Sequence, residues 1–136
     1  MPQLRPQSVF EIAERTMLGS QPFDPAVAEF LDEWQTMTQA KRCQAIKIEP
    51  NRIGGVKDAY LAAIAEHLAR EIGIDVPAWT ENSSRFLEQP FFAGGLESLK
   101  AVLLVESPPA FRRRLLFISA NALSRPDRTA VLRENA

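Results

Sequence analysis

A chain of 136 residues, 46% apolar and 24% charged, with a net charge of −1, has ordinary globular proportions. It is long enough to bury a core without a stabilising metal, and its one cysteine excludes an intrachain disulfide. The small net charge argues against nucleic-acid binding through the overall field, and the apolar runs fall far short of the ~20 residues of a membrane helix.

"SVFEIAERTMLG" opens on a capping box, in which Ser8 can accept from the Glu11 amide while Glu11 reaches back to the Ser8 amide. Val9, Ile12, Ala13 and Met17 form a helical stripe, and Gly19 is a C-terminal stop. In "QPFDPAVAEFLDEWQTM", Asp24 is the expected cap and Pro25 the first helical residue. Val27, Phe30, Leu31, Trp34 and Met37 share one face, with Glu29, Asp32 and Glu33 on the other. "TQAKRCQAIKIEP" predicts a short separate helix ending before Pro50, with Ala40, Cys43 and Ile46 or Ile48 inward. "NRIGG" reads as a loop. Residues 56–72, "VKDAYLAAIAEHLAREI", predict a central helix with Tyr60, Ile64 and Leu68 on one seam and Leu61 beside it. Its many alanines let neighbours approach closely, and Gly73 ends it.

Residues 74–95 have a different character. Pro77, Pro90, two glycines and the aromatics Trp79, Phe86, Phe91 and Phe92 predict loops around a short helix near 83–88, with the aromatics plugging a core. "LESLKAVLLVE" predicts a helix with Leu96, Leu99, Val102 and Leu103 inward. Ser107 then caps a new start, with Pro108 in its first turn, and Ser119 offers a further cap. There is no internal repeat and no sustained alternation that demands a sheet. The expected fold is all-α, a single compact domain of five to seven helices over residues 1–126, with 127–136 a frayed C-terminal tail. Trp34 and Trp79 are both expected to be substantially buried.

Catalytic patterns are absent from the sequence. His67 is the only histidine, and "EH" at 66–67 has no second histidine four residues on, so the zinc-protease helix pattern is missing. Lys41 and Arg42 could lower the pKa of Cys43, but burial on its helix is the favoured reading. "NRIGG" and "FFAGG" lack the strand-to-helix context of a phosphate cradle, and Asp32 and Glu33 face apart on a helix. No catalytic residue, metal or cofactor is expected.

Charge is unevenly placed. Residues 1–110 hold ten Lys/Arg against fifteen acids, a balance of −5, and residues 111–136 hold six arginines against two acids, a balance of +4. Three of those arginines are consecutive in "FRRRLLFIS". On a helix Arg112, Arg113 and Arg114 would spread over about 200° of the circumference, with Phe111 and Leu115 buried. Three readings stay open: solvated arginines with packed stems, a docking site for an acidic partner, and phosphate contact. If structural, they are expected to hold the chain's own acids, such as the Glu29–Glu33 face.

Four segments together suggest a family: "FDPAVAEFLDEW", "AYLAAIAEHLAREIGIDVPAWTE", "FLEQPFFAGGL" and "ESPPAFRRRLLFISANAL". As a set covering most of residues 23–123, they resemble small uncharacterised bacterial proteins with "PAWT" and "ESP.AFRRR" segments. Similar segments stand behind helix-turn-helix domains in regulators, and some look like antitoxin-type partners encoded beside nucleotidyltransferase-like proteins. The resemblance implies no catalytic residues.

The leading expectation is a non-catalytic helical protein–protein interaction module, antitoxin-like or regulatory. It would bind another bacterial protein, such as the product of an adjacent gene, through Arg112, Arg113, Arg114, Trp79, Phe91 and Phe92. One alternative is a DNA-binding regulator, which needs a basic recognition helix, whereas the long helices here are acidic or neutral. Another is an enzyme with a site near His67, Trp79 and Arg112. A homodimer stays open. Without a basic-then-apolar leader in "MPQLRPQSVF", a cytoplasmic location is expected.

Overall fold

Helices dominate the computed structural model, which describes residues 4–93, 100–119 and 122–123. Among these residues lie six α-helices: α1 (Val9–Leu18), α2 (Phe23–Trp34), α3 (Gln39–Lys47), α4 (Val56–Ile72), α5 (Lys100–Glu106) and α6 (Pro109–Arg112). Two 3-10 turns, Ala78–Glu81 and Ser83–Arg85, follow α4. Two two-residue strands, β1 (Phe91–Phe92) and β2 (Leu116–Phe117), pair in parallel, Phe91 with Leu116 and Phe92 with Phe117. The all-α expectation holds, with this minimal ladder as an addition too short for any periodicity to announce. The chain divides into two compact units, one up to Pro50 together with Leu123, the other from Asn51 to Ala122. The break falls inside the 1–126 span.

In the first unit, α1 packs on α2 and α3. Ser8 accepts from the Glu11 amide at 3.1 Å, while the Glu11 carboxylate takes the Gln7 amide at 3.0 Å, one residue further back than a standard box. Gly19 closes α1 with φ +72°, a left-handed cap that costs glycine little. Val9, Ile12 and Ala13 are buried, but Met17 is exposed, because α1 uses its first two turns for packing. Helix α2 begins at Phe23, one residue before the expected cap, with Pro22 capping. Pro25 still costs no hydrogen bond, since the first four amides of a helix have no partner within it. Asp24, no longer the cap, sits in the first turn by the positive end of the helix dipole. The stripe Val27, Phe30, Leu31, Trp34 and Met37 is buried as read.

Helix α3 corrects its expected face. The Arg42 guanidinium lies 5.1 Å over the Trp34 ring and its Nε donates to the Trp34 carbonyl at 3.0 Å. That contact turns the 42–45–46 seam inward, burying Ala45 and Ile46 and leaving Ala40, Cys43 and Ile48 exposed.

In the second unit, α4 packs against α6 and both 3-10 turns. Ala59, Ala62, Ala63 and Ala69 are buried along it, and Gly73 ends it with φ +72°. The aromatics of 74–95 do not plug the core: Trp79, Phe86 and Phe92 are half-buried and Phe91 is exposed, while Thr80 and Arg85 are fully buried. Ser107 does not cap α6; Pro108 does, with Pro109 at the first helical position. The Ser107 hydroxyl instead donates to the Leu103 carbonyl at 2.5 Å and accepts from the Ile118 amide at 2.8 Å, tying α5 to the residue after β2. On α5 Leu103 is buried but Val102 is exposed, because this short helix meets β2 along one line. Leu96, Leu99 and the tail from 127 lie outside the described residues.

Trp34 is 2% exposed and packs against the Phe30 ring at 6.1 Å, and Trp79 is half-buried, so both are substantially covered, Trp34 the more completely. In variants keeping one tryptophan each (Trp79→Phe and Trp34→Phe), iodide should quench Trp79 more than Trp34, and both less than the urea-unfolded chain. Trp34→Ala should cost about 3–5 kcal/mol in denaturant titration.

Candidate functional site

The arginine run does not stay helical. Helix α6 ends at Arg112, and residues 113–115 form a turn in which Leu115 takes φ +63°, a left-handed conformation costly for a branched side chain. The turn sends the three arginines to three environments: Arg112 points to solvent, Arg113 is partly exposed and Arg114 is fully buried.

Arg114 enters the second unit and meets Glu66 of α4, whose side chain is 1% exposed. Its Nη1 donates to Glu66 Oε1 at 2.5 Å and to the Ala110 carbonyl at 2.8 Å, and its Nη2 to the Thr80 carbonyl at 2.8 Å. Its guanidinium carbon lies 4.6 Å from the Phe86 ring centroid, and its Nε has no hydrogen bond. Arg113 reaches the same carboxylate from the surface side, Nη1 to Glu66 Oε1 at 2.9 Å. It also grips Glu81 with two bonds, 2.7 and 2.9 Å, the forked pairing that guanidinium geometry favours. Arg70 closes the other side of Glu66, Nε to Oε2 at 2.8 Å.

Burial opposes ionisation of Glu66, but hydrogen bonds from Arg114 and Arg70 and the Arg114 charge outweigh it, so the carboxyl is held below its ordinary value. The Arg113 hydrogen bonds lower Glu81 in the same way. Arg113 is raised, chiefly by its bonds to Glu81. Burial draws Arg114 down, with Glu66 opposing; a guanidinium starts so high that it stays charged.

A second buried pair fastens the same turn region. Asp58 accepts the amides of Ile53 and Gly54 at 2.7 and 3.0 Å, and Arg85 Nη1 lies 3.7 Å from its Oδ1 and donates to its carbonyl at 3.3 Å. Trp79 covers Arg85, ring centroid 5.2 Å from the guanidinium carbon. Trp79 and Phe86 thus lie against the guanidinium groups of buried arginines, with Arg113 also 5.3 Å from the Phe86 ring centroid.

The residues singled out in the sequence are engaged separately. Phe92 stacks on Phe117 at 4.9 Å. His67 Nε2 lies 2.9 Å from Glu71 Oε1, and the ring meets Phe111 edge-on. Arg112 bonds the Ser107 carbonyl. The expected internal partners also change: Glu33 is taken by Arg5 and Gln7 and Glu29 by Gln21, while the arginines hold Glu66 and Glu81. Glu66 carried a usable signal. It is an acid set among the buried alanines of the longest helix, where a carboxylate requires a cation. Among the described residues no group of three or more His, Cys, Asp or Glu could hold a metal, and no helix is long and apolar enough to cross a membrane.

The other unusual surface is α5. Val102, Leu104 and Val105 are 46%, 45% and 76% exposed, with only Leu103 buried among the helix side chains described. Phe91 of β1, 42% exposed, pairs with β2, on which α5 packs. No family model, no curated protein and no solved structure matches this chain.

Breaking a buried ion pair strands a charge, so Glu66→Gln or Arg114→Gln should cost about 3–5 kcal/mol in denaturant titration at neutral pH. Arg112→Gln should stay within about 0.5 kcal/mol. Because the folded Glu66 pKa lies below its ordinary 4.5, the stability that it contributes is complete above that value and is lost as pH falls through the folded pKa. Melting temperatures across pH 3 to 7 should therefore fall more steeply on the acid side for the native chain than for Glu66→Gln.

Proposed function

We propose that this chain is a non-catalytic helical interaction module, an antitoxin-like or regulatory partner that binds and holds another bacterial protein. The observation that carries the reading is the face of α5, three large aliphatic side chains turned to solvent on one seven-residue helix. Single exposed apolar residues are common on protein surfaces, but a contiguous group is the usual mark of a protein contact. Arg113 and Arg114 support it indirectly, since their charges are consumed by Glu66 and Glu81 and are withheld from phosphate. The docking surface proposed is accordingly α5 with Phe91 and Arg112. Of the six residues that the sequence suggests for docking, Arg113 and Arg114 are engaged by Glu66 and Glu81, Trp79 lies over Arg85, and Phe92 stacks on Phe117, which leaves Arg112 and Phe91.

Co-expression with the product of the adjacent gene, followed by affinity measurement, tests the reading. Val105→Asp should weaken that complex at least about tenfold and leave the melting temperature unchanged, because Val105 is exposed. Equal affinity for Val105→Asp and the native chain would remove α5 from the interface.

A further inference from the structure

The apolar face of α5 has a fixed cation at one end. Arg112 donates from Nε at 3.2 Å and from Nη2 at 2.9 Å to the carbonyl of Ser107, the residue that directly follows α5. Two bonds to one oxygen hold the guanidinium plane against the end of the helix. Nη1 is left without a hydrogen bond among the described residues, on a side chain that is exposed. Its two neighbours in sequence are bound to carboxylates, so Arg112 is the member of the run held ready for an external anion.

We propose, resting on the docking reading above, that this surface seats an acidic amphipathic helix of another protein. The aliphatic residues of the incoming helix cover Val102, Leu104 and Val105, and an Asp or Glu at the edge of its apolar stripe takes the Nη1 of Arg112. The dimensions fit: seven residues of α5 span about 10 Å, two helical turns, which an i, i+3, i+7 stripe on a partner helix matches. Charge selects among the helices that could lie there. A neutral helix would desolvate Arg112 without giving Nη1 an acceptor, and a basic one would be repelled; a carboxylate meets both demands. A membrane surface fits less well, since interfacial helices are longer and carry several cations along the polar face. Because Arg112 is already fixed, little side-chain entropy is lost when the pair forms.

A photo-crosslinking amino acid placed at Val105, in the full chain expressed in its own host, identifies the occupant through the crosslinked peptide. The affinity of the identified protein is then measured for the native chain, Arg112→Gln and Arg112→Glu. Support consists of a crosslinked segment with an apolar helical stripe and flanking acids, binding about tenfold or more weaker for Arg112→Gln, and recovery of Arg112→Glu by an Asp/Glu→Arg change in that segment. A crosslinked protein segment without acids, whose affinity Arg112→Gln leaves unaltered, overturns the acidic-helix proposal and leaves the docking reading standing. Crosslinks only to a second copy of this chain, only to lipid, or to nothing overturn both. Should Arg112→Gln fail to fold, the salt dependence of the native complex decides: affinity must fall as salt rises, and insensitivity overturns the proposal.

Discussion

Glu66 is a carboxylate placed on the buried small-residue face of α4, and most of the second unit is arranged around the need to neutralise it. An unpaired carboxylate in a low-dielectric interior costs several kcal/mol after relaxation. Arg114 must therefore point inward. To deliver it, the chain leaves the helix after Arg112, accepts a left-handed Leu115 and emerges as β2. The strained residue is held from both sides, its amide bonded to the Arg112 carbonyl and its carbonyl to the Phe91 amide. The parallel pair β1–β2 thus continues the path that Arg114 enforces.

The same requirement shapes the segment between α4 and β1. Thr80 offers its carbonyl to Arg114, Glu81 takes Arg113, and Arg85 goes inward to Asp58. The 3-10 turns at 78–85 are held through these polar contacts, with Trp79 and Phe86 laid over guanidinium groups. An ion pair of this kind stabilises less than well-packed apolar residues of equal volume would. It discriminates more sharply, because a shifted register would leave charges buried and unmatched. The geometry is consistent with a network that fixes one arrangement of loops rather than one that maximises stability.

This internal use of charge changes what the surface offers. The balance of +4 over residues 111–136 suggests a basic end. Two of the three arginines in the run are neutralised within the fold, and the third is set beside an apolar helix. Among the described residues the run thus contributes one oriented guanidinium to a mixed surface of aliphatic residues, whereas a phosphate backbone is bound through many cationic contacts.

The sequence by itself determined the features that arise within a few residues of each other. Ser8 and Glu11, the stripe Val27, Phe30, Leu31 and Trp34 of α2, the span of α4 and the glycine stops at 19 and 73 are local signals, and each appears in the structure. The all-α class follows from them, because helical periodicity is a property of near neighbours. Tertiary structure alone decided the rest. The partners of Arg113 and Arg114 on α4 are 47 and 48 residues away in sequence, and no local pattern ranks Arg112, Arg113 and Arg114 as outward, shared and inward. Cys43 is exposed for the same reason, since Arg42 turns α3, and Trp79 is half-buried as a cover on buried Arg85 rather than part of the core. Even α5, whose run of apolar residues reads as core, buries only Leu103 among its described side chains, since a hydrophobic run states only that burial is favourable, and the packing of the whole chain decides which residues receive it.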